Sequence, residues 1–191
     1  MHENIVKLGK IATVSLGYSL RVSPKNEENG NAFIIQPKDI DVFGSLSNKY
    51  TKIIIKNFRN CDFLKKEDIL FSNRAKFVST VFEQESYNTV ASSGFFIIHV
   101  EKKKILPYYL AMYLNSKYGQ KEISRQQNIG TVPSINKINF EEINIIVPNL
   151  EKQEKFVNLY KAYKKYQILS KRMNDLKENI MNNIFNIKIG E

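Results

Sequence analysis

One uninterrupted helical stretch, Asn149 to about Phe185, constrains this chain more than any other part of it. Pro148 precedes it, Asn149 is placed as an N-cap, and Glu151 and Glu154 sit in the first turn, where carboxylates suit the helix dipole. Leu159, Ala162, Tyr166, Leu169, Met173, Leu176 and Ile180 then recur in steps of three and four, a seam of period near 3.5. Lys161, Lys164, Lys165, Lys171, Arg172 and Lys177 flank it, and neither Gly nor Pro interrupts it. A helix of roughly 35 residues is about 50 Å long, more than a small domain is wide. Its seam is expected to pair with another helix; an amphipathic helix folded back on its own core is the plainer alternative.

Upstream, apolar runs of strand length are separated by polar turns. Ile5–Val14 reads as extended with a turn at Gly9, and Ser23–Asn31 as a loop. Phe33–Gln36, Tyr50–Phe58, Ile69–Phe71, Phe77–Phe82, Gly94–Val100 and Ile143–Val147 read as strands. Pro107 opens a helix with Tyr108, Leu110, Ala111, Tyr113 and Leu114 on its apolar face. The expected fold class is α+β: a β-rich domain over residues 1–148, one long C-terminal coiled-coil helix over 149–185, and a tail over 186–191.

Composition narrows the chemistry. A chain of 191 residues, 42% hydrophobic, can bury one good core. The net charge of +10 divides into +6 for residues 1–148 (20 basic, 14 acidic) and +4 for 149–191 (9 basic, 5 acidic), so an anionic partner such as nucleic acid suits both parts. Cys61 is the only cysteine, and His2 and His99 are the only histidines, which excludes a disulfide framework and argues against a zinc site. No apolar run is long enough for a signal peptide or membrane span, so the expectation is a soluble, cytoplasmic protein.

Catalytic motifs are sparse. No two of the eight glycines are closer than eight positions, which leaves neither a P-loop nor a dinucleotide fingerprint. There is no Pro-Pro for an amino-methyltransferase motif, and His99, within an apolar strand, reads as structural. Asp68 with Glu101-Lys102-Lys103 is a faint metal-nuclease signal that a charged strand end explains as well. No catalytic residue, metal site or cofactor is assigned to the chain.

Recognition chemistry is better represented. Reading DNA needs Arg, Lys, Asn, Gln, Ser and Thr where they can reach base edges and phosphates. Ser72-Asn73-Arg74-Ala75-Lys76 and Ser124-Arg125-Gln126-Gln127-Asn128-Ile129-Gly130-Thr131 supply these residue types between predicted elements. The candidate DNA contacts are Arg21, Asn73, Arg74, Lys76, Arg125, Gln126, Gln127 and Thr131; a solvated loop is the alternative for each stretch. Leu159, Tyr166, Leu169, Met173, Leu176 and Ile180 are the candidate partner-helix residues. A structural protein with a coiled-coil helix and a protein-binding β domain is the second reading.

The order of short motifs resembles the specificity subunits of type I restriction-modification systems, with one target-recognition domain and the helix that follows it. Lys7-Leu8-Gly9-Lys10-Ile11 is similar to the family's opening segment, and Asp68-Ile69-Leu70-Phe71-Ser72 to its Gly-Asp-Ile-Leu strand entry. Leu106-Pro107-Tyr108-Tyr109-Leu110 through Leu114-Asn115-Ser116 is similar to its Tyr-Leu-x-x-x-Leu-x-Ser helix. Gly130-Thr131-Val132-Pro133-Ser134-Ile135, Ile143–Pro148 and Leu150-Glu151-Lys152-Gln153 resemble the turn, strand and helix start that close the pattern. The chain departs from it at Leu16-Gly17-Tyr18-Ser19, in place of Ser-Gly-Thr-Pro, at Glu67, in place of Gly, and at Lys152, in place of Glu.

The resemblance implies a half-length, non-catalytic DNA-recognition subunit that reads one half-site of double-stranded DNA. It implies pairing through antiparallel helices with a second copy or a different half-subunit, the helix pair spacing two half-sites. It also implies a methyltransferase subunit that brings S-adenosylmethionine and methylates adenine, with or without a translocating restriction subunit.

Overall fold

A computed structural model describes residues 4–20, 23–41, 44–47, 49–56, 63–85, 88–128 and 130–189. Arg21, Cys61 and His2 lie outside the described residues. The chain divides into two compact units, residues 1–153 and 154–191.

Among the described residues, three small sheets build the first unit. β2 (Ala12–Leu16), β8 (Phe95–Val100), β5 (Ile69–Ser72) and β6 (Ser79–Val81) form an antiparallel sheet in that order. β4 (Thr51–Ile53), β3 (Ala32–Ile35) and β7 (Thr89–Ala91) form a second sheet, with β3 antiparallel to β4 and parallel to β7. β1 (Asn4–Lys7) and β9 (Asn144–Val147) pair antiparallel, so the start of the domain closes against the strand that leads into the long helix.

The period-2 alternation of strand side chains explains the core. Leu70 on β5 and Phe95 and Ile97 on β8 pack with Ile35 on β3, Ala91 on β7, Leu64 and Phe82 in one buried cluster, joining the two larger sheets. Ile34 and Val90 alternate to the opposite face, where they pack with Ala32, Ile53 and Ile55 under Tyr18, Leu20 and Phe63. On the other face of the four-stranded sheet, Phe71 stacks with Phe140 at 4.3 Å, Phe77 at 6.0 Å and Phe96 at 6.5 Å. Such ring pairs add stabilisation beyond the area they bury.

The first helix, α1 (Pro107–Asn115), begins at the expected proline and buries Tyr109, Leu110, Ala111, Tyr113 and Leu114. Two of its three tyrosine hydroxyls donate to the backbone of β9, Tyr109 to the Ile146 carbonyl at 2.9 Å and Tyr113 to that of Asn144 at 3.0 Å. At its end Asn115 clamps Ser79, accepting from its N–H and donating to its carbonyl, each at 2.8 Å.

Several local expectations change. Gly119–Asn128 contains a helix, α2 (Lys117–Gln126), capped by Ser116, whose hydroxyl accepts from the Gly119 N–H. Gly119 does not break it. A Cβ there would sit 2.1 Å from the Tyr113 carbonyl oxygen, so only glycine lets α2 turn this tightly off α1. A further short helix, α3 (Lys137–Glu141), carries Phe140 into the aromatic stack.

Of the strand expected over Tyr50–Phe58, the described residues form Thr51–Ile53, and residues 57 and 58 lie outside the described residues. Beyond it the Asn31 amide takes over the strand-like pairing, accepting from Ile55 N–H at 2.8 Å and donating to the Ile55 carbonyl at 3.0 Å. Glu67, where the resembling family carries Gly, adopts φ +74. The left-handed turn into Asp68 is therefore kept, at the usual cost of such a conformation for a residue with a Cβ.

The long helix, α4 (Leu150–Ile189), has 40 residues, about 60 Å. Asn149 caps it as expected, accepting from the Lys152 N–H at 2.9 Å. It runs four residues past the expected end at 185, so a separate tail over 186–191 is not observed as far as Ile189. Its first turn belongs to the globular unit rather than beginning a second one at 149. Gln153 is the reason. Fully buried, it accepts from Leu106 N–H at 2.9 Å and donates to the carbonyls of Lys104 and Pro148 at 3.0 and 2.8 Å.

Gln153→Leu keeps the volume but removes the partner of three partly buried backbone groups, and should cost about 2–4 kcal/mol. Urea unfolding of both forms measures it, and a loss below about 1 kcal/mol would contradict the assigned role.

Candidate nucleic-acid interface

The polar corner between β5 and β6 is fixed from both sides. Phe71 and Phe77 flank it within the aromatic stack. Ser72 N–H donates to Val78 at 2.9 Å, and the Gln120 amide of α2 donates to the carbonyls of Phe77 and Leu114 at 2.9 and 2.7 Å. Between these clamps Arg74, Ala75 and Lys76 are exposed, and Asn73 is half-buried with its amide donating to Ser93 at 3.2 Å.

The second polar stretch arrives at the same place. Ser134 forms an isolated antiparallel bridge with Arg74 and another with Asn128. Ala75 N–H donates to Pro133 at 2.8 Å, Ile135 N–H to Asn73 at 3.1 Å, and Asn128 N–H to Ser134 at 2.7 Å. Two segments about 55 residues apart thus become one ribbon, in the order 74, 134, 128. Ala75 takes φ +65 to make its bond, a left-handed conformation unusual for alanine. Together residues 72–78 and 124–139 contain Arg74, Lys76, Arg125 and Lys137 and no acidic residue. The two segments are basic and rich in amides, the residue types that contact phosphates and base edges; Arg125 pairs with Glu122 and Lys137 with Glu141 at 3.7 Å, both carboxylates lying just outside the segments.

The other expected residues fall out differently. Arg125 and Gln126 are not in a loop: they form the last turn of α2, the helix that starts at the Ser116 cap. Arg125 is exposed but ion-paired with Glu122, which also accepts from Asn144. Gln126 and Gln127 are half-buried, and the Gln126 carbonyl accepts from Asn139 at 3.0 Å. Thr131 is exposed in the loop that leads to Pro133. Sequence reasoning placed no weight on Asn128, although it is exposed and tied directly into the ribbon. Pro133-Ser134-Ile135 was visible only as a turn.

The faint nuclease pattern does not assemble. Asp68 is buried, accepting from Lys65 N–H at 2.7 Å and meeting His99 Nδ1 at 2.8 Å, which gives both residues a turn-stabilising place. Lys102 pairs with Glu67, and Glu101 with Lys104. Among the described residues no group of three or more His, Cys, Asp or Glu side chains could hold a metal ion. Among them, too, no helix is long and apolar enough to cross a membrane.

In the second unit Leu159, Tyr166, Leu169, Met173, Leu176 and Ile180 are all exposed, from 49% at Met173 to 70% at Leu159. That is an apolar seam facing solvent along most of α4.

Solved structures share this fold. One, described as the structural basis underlying complex assembly and conformational transition of the type I R-M system, aligns with a TM-score of 0.69 and 20% identity over 95% of this chain and 43% of its own. The HsdS subunit from Thermoanaerobacter tengcongensis aligns at 0.60 and 20% identity, over 88% of this chain and 39% of its own. The type I restriction-modification S subunit from M. genitalium aligns at 0.59 and 10% identity, over 86% and 39%. The chain therefore spans about two fifths of the length of these relatives. No curated protein matches it in sequence. Residues 3–180 match the type I restriction modification DNA specificity domain, and the chain belongs to that family.

Proposed function

We propose that this chain is a non-catalytic DNA sequence-recognition subunit of a type I restriction-modification or methyltransferase complex. The observation that carries this reading is the ribbon at Arg74, Ser134 and Asn128, where two carboxylate-free polar segments converge on one rigid surface. Arg74 and Lys76 supply cationic contacts there, and Asn73 and Thr131 lie in the same two segments. Arg125 approaches DNA only by leaving Glu122.

In this reading each chain recognises one half-site of double-stranded DNA. The exposed seam of α4 pairs with the helix of a second copy or of a different half-subunit. A helix of about 60 Å exceeds one duplex turn of about 34–36 Å, so the pair can set the distance between half-sites. The catalytic chemistry belongs to a methyltransferase subunit, which brings S-adenosylmethionine and docks with the chain; a restriction subunit can join the same assembly.

Leu169→Asp places a carboxylate in the seam and should leave a folded unit 1 that no longer dimerises. Light scattering with circular dichroism checks this, and a wild-type chain that is strictly monomeric alone and with its methyltransferase would sink the pairing. Lys76→Ala should weaken binding about equally on all duplexes and lower the salt slope by about one counterion, because a lysine at the corner suits phosphate contact. Gel shifts at several salt concentrations measure that slope. A slope unchanged in the variant would remove Lys76 from the interface.

A further inference from the structure

We propose that Asn128 is a base-reading residue coupled to Arg74 through Ser134, the two contacting separate base pairs of one half-site. The inference rests on the recognition function proposed above and adds a residue and a spacing to it.

Ser134 is the middle of a three-stranded ribbon. Across one of its edges Ala75 N–H donates to the Pro133 carbonyl and Ile135 N–H to that of Asn73, while the Asn128 N–H reaches the Ser134 carbonyl at the other. Residues directly opposite one another in antiparallel pairs project from the same face. Arg74, Ser134 and Asn128 therefore share a face, with Ser134 half-buried between two exposed ends. Adjacent strands lie about 4.8 Å apart, so the ends are about 10 Å apart. That distance corresponds to about three base-pair steps of 3.4 Å.

The chemistry at the two ends differs. An arginine offers paired donors that match the acceptors of guanine, and an asparagine offers the donor and acceptor that match adenine. The ribbon is stiff beneath them. Phe71 and Phe140 stack at 4.3 Å, with Phe140 one turn beyond the ribbon on α3, and Asn139 of the same helix donates to the Gln126 carbonyl just ahead of Asn128. Ala75 is held at φ +65 by its bond to Pro133. Left-handed backbone in a residue with a Cβ persists where its surroundings over-determine it, and such positions cluster at binding sites.

The test is selection from a library of randomised duplexes by the full chain assembled with its methyltransferase, in wild-type, Arg74→Ala, Asn128→Ala and Ala75→Gly forms. Asn128 is exposed and bonds the ribbon through its backbone, so its alanine variant should fold with an unchanged thermal midpoint. Expected is a preference for A·T at one position, lost about ten- to hundredfold in Asn128→Ala. It should lie about three base pairs from the position relaxed by Arg74→Ala. Ala75→Gly removes the Cβ penalty of the left-handed conformation and keeps the backbone bond to Pro133, so both positions should stay selected. Equal weakening of Asn128→Ala on every sequence would make it a phosphate contact and overturn the proposal, as would unchanged selectivity. A wild-type complex that selects no sequence would defeat the recognition function itself.

Discussion

Everything at the candidate interface depends on where the backbone of Asn73–Ala75 finds its hydrogen bonds. The corner has left the four-stranded sheet, yet its N–H and C=O groups still need partners. Gly94 accepts from Asn73 N–H, Pro133 accepts from Ala75 N–H and Ile135 donates to the Asn73 carbonyl, while the Arg74 carbonyl is met locally by Lys76 N–H and the Ser72 hydroxyl. The loop that follows α2 is thereby bound to the loop that follows β5, and neither has an independent conformation. Loops ordinarily carry recognition because they are free to vary; here two of them are fixed by each other and by the aromatic stack beneath. Rigid donors lose little freedom on meeting DNA, which favours discrimination between sequences over adaptation to many.

The long helix poses a contrasting problem. Its first turn is locked by the fully buried Gln153 and capped by Asn149, so it starts as part of the globular unit. Farther along, six large apolar side chains at helical spacing remain about half to two-thirds exposed. Contiguous exposed apolar surface on that scale marks a contact surface in a soluble chain. The flanking lysines fit the same picture, since their alkyl stems can cover the edges of a seam while their charges stay hydrated.

Patterns with strong local causes could be read from the residues. The helix seam, its Asn149 cap, the Pro107 start and the apolar strands at Ile69–Phe71 and Phe95–Val100 all follow from periodicity and composition. What escaped depended on distant atoms. The helix over Lys117–Gln126 has no strong apolar seam, and the need for Gly119 in it comes from the Tyr113 carbonyl beside it. Ile53-Ile54-Ile55 looks like a longer strand until the Asn31 amide captures Ile55. Thr89–Ala91 is too short and polar at its edge to stand out, and becomes a strand only by pairing parallel to β3. Asn128 was in plain view in a polar run, but its importance comes from Ser134, which no local pattern connects to Arg74.

The two arginines show how far charge alone can be trusted at such a surface. Arg125 looks the stronger reader in sequence because Gln126 and Gln127 follow it. In the fold it sits in the last turn of α2, paired with Glu122, whose other oxygen is engaged by Asn144. With the Glu122 side chain only 17% exposed, the pair is partly shielded from solvent, and breaking it is one cost of turning Arg125 toward DNA. The larger effect is geometric. A side chain held back along its own helix must reorganise before it reads anything, whereas Arg74 stands on a ribbon whose backbone is already set. In the proposed recognition function the same total charge therefore divides unequally: Arg74 would specify sequence, and Arg125 would strengthen a complex that the ribbon has already oriented.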